Sequence, residues 1–189
     1  KELLEHIIFP LADFEEKEEI RKLARENDLP IANKPDSEDI CFIPDGNYKK
    51  FLEENSTIQP KPGNIVNTKK EVLGKHNGLY YYTIGQRKGL GISNPVPLFV
   101  LGFNKERNEV IVGEEQELYQ KEMLVRDINL LLVDEIEGEM EVEVKTRYSA
   151  KSAKAKIKQE ADTIRVMFEE PQRAITPGQS AVFYVGDIV

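Results

Sequence analysis

The sequence predicts a mainly β protein with a helical beginning. Three observations carry that reading. Apolar residues follow helical spacing only near the start, strict alternation marks several short segments after residue 60, and glycine and proline recur between those segments. With 189 residues, 40% of them apolar, the chain has room for one large domain or two small ones and for a real core.

Residues 1–33 read as helical. Leu11, Phe14, Ile20, Leu23 and Ala24 share a face, and Glu15 to Glu19 place acid in a first turn, where the helix dipole favours it. Asn27-Asp28 and Pro30 end the pattern. Two helices cannot bury their apolar faces alone, so this stretch is expected to be the end of a further domain. The apolar pattern at Leu3, Leu4, Ile7 and Ile8, and at Ala181 to Val189, gives the same expectation of a piece of a longer protein.

Residues 34–55 form a link. Ile40 to Ile43, bracketed by Pro35 and Pro44, is too short for a helix and reads as extended. Asp45-Gly46-Asn47 opens a short helix with Tyr48, Phe51 and Leu52 on one side. After Pro60 come the expected strands: Asn64 to Val66, Val72 to Gly74, Leu79 to Ile84, and a hairpin of Phe99 to Phe103 with Val110 to Val112 around Asn104–Glu109. From Leu124 a second β-rich block begins. Val142, Val144, Thr146 and Tyr148 alternate onto one face, with Lys145 and Arg147 opposite. Ala153 to Lys158 and Ile164 to Phe168 repeat the alternation, and Pro177-Gly178 turns into a last strand. Short strands at this spacing point to a small barrel or sandwich.

Charge and cysteine usage narrow the function. The net charge of −8 argues against non-specific binding to nucleic acid. Yet from Lys145 to Lys158 six basic residues (Lys145, Arg147, Lys151, Lys154, Lys156, Lys158) occur with no acid, in contrast to an acid-rich start. An acidic body with one basic stripe suits a polyanion held at a defined place; a solvated face is the plainer explanation. No stretch approaches the roughly 20 apolar residues of a membrane span, and nothing at the start resembles a signal peptide, so a soluble cytoplasmic protein is expected. The single cysteine, Cys41, cannot form an internal disulfide. The two histidines lack metal-ligand spacing, and no metal site is expected.

Four segments hold the candidate chemistry. Cys41 sits beside Asp36, Glu38 and Asp39, and acid neighbours disfavour a thiolate. A lone cysteine is commonly a small buried hydrophobe. Gly85, Gly89 and Gly91 allow close backbone approach, and Arg87 and Lys88 between them suit phosphate, although the P-loop spacing is absent and a tight turn explains the glycines equally well. Lys145, Arg147 and Tyr148 combine cations with an aromatic, as single-stranded RNA contacts require. Gln179, just after Pro177-Gly178, is placed to hydrogen-bond a base or sugar.

Taken together, these segments resemble a family. Ser37-x-Asp39-Ile40-Cys41-Phe42, His76-x-Gly78, Tyr82-Thr83-Ile84-Gly85-Gln86-Arg87-Lys88-Gly89-Leu90-Gly91, Arg147-Tyr148 and Thr176-Pro177-Gly178-Gln179-Ser180-Ala181-Val182 are similar, in the same order, to the bacterial and organellar tRNA-specific 2-thiouridylases. Phe9-Pro10 and the charged helix after it resemble the end of that family's ATP-binding domain. The resemblance implies three parts: a helical end of the ATP-binding domain at 1–33, a central α+β adaptor carrying Cys41 at 34–118, and at 119–189 a six-stranded β-barrel resembling domain 2 of elongation factors. It also implies an activity. ATP with magnesium adenylates the wobble uridine of the tRNAs for Lys, Glu and Gln, and a persulfide on the residue matching Cys41 delivers sulfur to C2. The sulfur arrives from a relay donor protein, and a second cysteine completes the exchange. Contacts to tRNA are implied for Arg147, Tyr148 and Gln179, with Lys145 added by the charge pattern and Arg87 and Lys88 as weaker candidates; no DNA or membrane partner is implied.

The sequence departs from the family in lacking the Ser-Gly-Gly-x-Asp-Ser nucleotide loop, the second cysteine and a Gly-Gly-Gly after the last strand. The chain alone is therefore expected to be inactive. Two other readings stay open: an RNA-binding adaptor in which Cys41 only packs, and a thiol-dependent redox enzyme.

Overall fold

The computed structural model describes residues 5–34, 43, 48–55, 59–131, 133–148, 150–186 and 188–189. The chain divides into two compact units, Lys1–Ser56 and Thr57–Val189.

Among its described residues the first unit contains two α-helices, α1 (Lys17–Glu26) and α2 (Tyr48–Asn55). Regular helix thus occupies less of residues 1–33 than the periodicity suggests. Turns run from Pro10 to Asp13, and Glu16 is extended, so α1 begins only at Lys17. Its end is where the sequence puts it: the Asn27 N–H donates to the Leu23 carbonyl and Asp28 turns left-handed at φ 52°. No α1 residue is buried, and Ile7, Ile8, Phe9, Leu23 and Ile31 are exposed.

The second unit carries two sheets, so the chain is mainly β as its alternation predicts. The first sheet comprises β1 (Gly63–Asn67), β2 (Val72–His76), β3 (Phe99–Asn104) and β4 (Glu109–Gly113), in the order β2-β1-β4-β3. β1 pairs parallel with β4, and the other pairings are antiparallel. Ile65, Val100, Val110 and Val112, all fully buried, form its core with Leu90. The β3–β4 hairpin turns at residues 105–108, where the Asn104 carboxamide oxygen accepts from the Arg107 N–H and Asn108 takes φ 54°.

Leu79 to Ile84 is not a strand. Leu79–Tyr81 forms a 3-10 turn and the chain then runs irregularly to β3. The aromatic run packs rather than pairs: Tyr82 meets His76 edge-on, with ring centres 5.9 Å apart, and its partial burial pushes the Tyr82 hydroxyl pKa up. His76 itself is buried. Its Nδ1 accepts from the Gly78 N–H at 3.1 Å and its Nε2 lies 3.0 Å from the Asn108 carbonyl. Those two bonds suit the neutral ring with its proton on Nε2, which donates to Asn108.

The second sheet comprises β5 (Tyr119–Val125), β6 (Glu139–Lys145), β7 (Ala153–Glu160), β8 (Thr163–Arg173) and β9 (Val182–Tyr184), in the order β5-β8-β7-β6-β9, all antiparallel. These are five strands among the described residues, where the resemblance implies a six-stranded barrel. Val142, Val144, Ala155, Ile157, Ile164, Val166 and Phe168 form its core, as their alternation predicts. Burying one of these valine, isoleucine or phenylalanine side chains contributes about 1.5–3 kcal/mol. The alternation stops at Lys145, however. Thr146 is half-buried and Tyr148, expected to share the face of Val142 and Val144, is fully exposed because the strand has ended. Phe99, Leu118 and Ala174 form a separate buried cluster, joining residues of β3 to the ends of β5 and β8.

Candidate nucleic-acid interface

The basic stripe resolves into two parts with different electrostatics. Along β7 the lysines face outward, each directly opposite a glutamate of β6: Lys158 faces Glu139, Lys156 faces Glu141 and Lys154 faces Glu143. Opposite charges at directly facing positions, with Cβ atoms about 5 Å apart, attract across the ladder. The three lysines therefore belong to a charge-matched face. The signal is present in the sequence, because Glu139, Glu141 and Glu143 alternate in the same way as the lysines. A count of cations alone passes over it.

What remains is Lys151, exposed between β6 and β7, and the corner where β6 ends. Lys145 pairs with Val182 of β9 and is half-buried. Beyond it the Arg147 Nη2 donates to the Ala174 carbonyl and, at 2.7 Å, to the Thr176 hydroxyl. That hydroxyl donates in turn to the same Ala174 carbonyl at 2.9 Å. Thr176 opens the turn through Pro177 and Gly178 to Gln179, closed by the Gln179 N–H reaching the Thr176 carbonyl at 3.4 Å. Gly178 supplies the φ of 86° that the turn needs. Tyr148 and Gln179 both project into solvent.

Ala174 is the joint of this arrangement. It is 2% exposed, takes a left-handed φ of 54° unusual for alanine, and donates its N–H to the Leu118 carbonyl at 2.9 Å. Beside it, Arg173 lies over the Phe99 ring and 3.4 Å from Glu115. The Gly-rich run reaches the same joint, since a Cβ on Gly85 would stand 3.2 Å from that of Ala174. Gly85 donates its N–H to the Val100 carbonyl, Val100 returns a bond to Gln86, and the Gln86 side chain bridges Thr83 and Lys88. This loop is thus closed on β3 and on itself, while Arg87 and Lys88 stay exposed.

The structure therefore gathers Gly85, Arg147 and Thr176 around Ala174, with Lys145, Tyr148 and Gln179 at the adjoining surface. No sequence signal marks Ala174, whose importance comes from its conformation. Cys41, with Asp36, Glu38 and Asp39, lies outside the described residues.

Three stretches of the chain match families of known proteins: residues 1–45 the tRNA methyl transferase HUP domain, residues 49–114 the tRNA methyl transferase PRC-barrel domain, and residues 120–189 the aminomethyltransferase β-barrel domain. The tRNA-specific 2-thiouridylase MnmA of Acetivibrio thermocellus is 50% identical over the whole chain. Those of Desulfitobacterium hafniense and Clostridioides difficile are 49% and 44% identical, over 98% and 100% of it. The chain belongs to the tRNA-specific 2-thiouridylase family. It spans about half the length of these relatives, 53%, 53% and 52% respectively. Two of the matched domains are named for methyl transfer and one for aminomethyl transfer, whereas the relatives similar along the full chain are named for thiolation. Among the described residues no helix is long and apolar enough to cross a membrane.

Proposed function

We propose that this chain is the sulfur-carrying and tRNA-docking part of a cytoplasmic tRNA-specific 2-thiouridylase. The observation that carries the proposal is identity near one half along the full chain to proteins of that name. In the longer protein, ATP with magnesium adenylates the O2 of the wobble uracil, in tRNAs for Lys, Glu and Gln. The sequence contains no Ser-Gly-Gly-x-Asp-Ser nucleotide loop, and this chain's own part in the reaction begins with sulfur.

Sulfur transfer is assigned to Cys41. A relay donor protein leaves a persulfide on it, and the terminal sulfur attacks C2 of the activated base, expelling AMP. A second thiol, which this chain does not contain, then attacks the Cys41 sulfur. The sulfur–sulfur bond linking Cys41 to the base breaks, the thiocarbonyl is released, and Cys41 is left in a disulfide for later reduction. A persulfide is more acidic than a thiol and a stronger nucleophile, which suits a cysteine set among Asp36, Glu38 and Asp39.

Docking is assigned to the β6 corner. Tyr148 offers an exposed ring for stacking, Gln179 an amide for a base or sugar, and Lys145 a cation for the backbone. The Arg87 and Lys88 side chains stand outside the Gly-rich loop's internal bonding, and they serve as lesser phosphate contacts.

The test is Cys41→Ser in the full-length protein. Nucleoside mass spectrometry of tRNA should find 2-thiouridine lost, while tRNA binding persists and the persulfide on this segment disappears. Full thiolation by the variant would instead favour an adaptor whose cysteine only packs. The 189-residue chain alone should produce no thiolated tRNA.

A further inference from the structure

We infer that Arg147 is a positioning residue, one that holds the Thr176–Gln179 turn ready for tRNA instead of lending its charge to a phosphate. The inference rests on the reading of this corner as a tRNA-docking surface. Residue type alone suggests the opposite, because an arginine next to an exposed tyrosine looks like a phosphate clamp.

The geometry points inward. Arg147 Nη2 is spent on two acceptors of the protein itself, the Ala174 carbonyl and the Thr176 hydroxyl. The Thr176 hydroxyl has its proton on that same carbonyl. The three groups close a small ring of hydrogen bonds at the root of the turn, beside an alanine that is 2% exposed and held in a left-handed conformation. Gly85 abuts the other side of Ala174, and Leu118 holds its N–H. Swinging the guanidinium out to a phosphate would strip a charged donor from a carbonyl on a buried residue, which is costly. Beyond this root, residues 177–180 are exposed. The turn is therefore anchored at its base and open at its tip, the arrangement that reduces the ordering cost of binding.

Salt separates the two roles. A cation that neutralises a phosphate contributes about 0.7–0.9 to the slope of log affinity against log salt, whereas a residue acting through a turn contributes nothing to it. The measurement uses the full-length protein and an unmodified glutamate-tRNA transcript, titrated across a salt series. Thr176→Val removes the hydroxyl without touching charge or volume and should weaken binding about 3- to 10-fold, with the slope of the unaltered protein. Arg147→Ala should weaken it more, about 10- to 100-fold, again at unchanged slope. Arg147→Lys keeps the charge but loses the fork, and should not restore affinity. Gln179→Ala should add little to Arg147→Ala, since the turn carrying it is already released.

Wild-type affinity in Thr176→Val, or a shallower slope in Arg147→Ala, overturns the inference. If Gln179→Ala and Tyr148→Ala also bind as the unaltered protein does, the docking surface itself is misplaced; if they weaken binding, only the role of Arg147 falls. Thr176→Val keeps the test open should Arg147→Ala fail to fold.

Discussion

Single residues set the tightest limits on this structure. Gly63 is the clearest case. A Cβ there would lie 2.0 Å from the Asn108 carbonyl oxygen and 2.6 Å from His76 Nε2. Asn108 also donates its side-chain amide to the Lys61 and Pro62 carbonyls. Backbone on one side and a fixed imidazole on the other leave no room to relax. Gly63→Ala should cost about 1–3 kcal/mol, the usual penalty of overpacking, and lower the melting temperature in calorimetry. A melting curve that coincides with the unaltered protein's would mean the strand shifts freely. A second residue-scale effect follows from Arg165, whose guanidinium meets both carboxylate oxygens of Glu160, at 2.9 and 3.1 Å, and reaches Glu122 at 3.3 Å. The hydrogen bond from Arg165 holds the Glu160 carboxyl below the usual glutamate range. The pair thus adds stability above the unfolded-state value and loses it as pH falls through the lowered folded-state value. Glu160→Gln should melt lower than the unaltered protein at neutral pH, and the gap should close on acidification.

At the scale of elements, β6 and β7 decide what the basic stripe does. Their register sets three lysines against three glutamates, so Lys156→Ala should change tRNA affinity less than Lys145→Ala, which lies at the strand's open end. Reversing one rung has a different consequence. Lys156→Glu places like charges across from Glu141 and should destabilise the sheet by roughly 0.2–1 kcal/mol in chemical denaturation. Strand identity in this block was legible from sequence because Val142, Val144, Ala155, Ile157, Ile164, Val166 and Phe168 alternate and the core takes every one. Leu79 to Ile84 misled for an equally physical reason. Its composition suits a strand, but its hydrogen bonds go to a 3-10 turn and the left-handed Gly85 that follows leaves the extended region. The corner was only half readable. Arg147, Tyr148 and Gln179 announce themselves by type, while the joint depends on the φ of Ala174, and no composition rule foretells a left-handed alanine.

Over the molecule as a whole, each sheet combines pairings between near neighbours in the chain with pairings between distant strands. β6, β7 and β8 follow one another as a meander, each beside its sequence neighbour, whereas β5 must reach across that meander to β8. In the other sheet β1 lies parallel to β4, which brings Asn64 beside Glu109. Contacts between near neighbours cost little loop entropy and close early; distant ones wait. The meander is accordingly the natural nucleus of the second sheet, with β5 and the three-residue β9 zipping on at its margins. In native-state hydrogen exchange, amides of β7 should be the slowest to pick up deuterium and those of β9 among the fastest. The corner proposed to dock tRNA hangs between a strand expected to form first and one expected to fray first, which would give its turn a firm wall on one flank and a breathing one on the other.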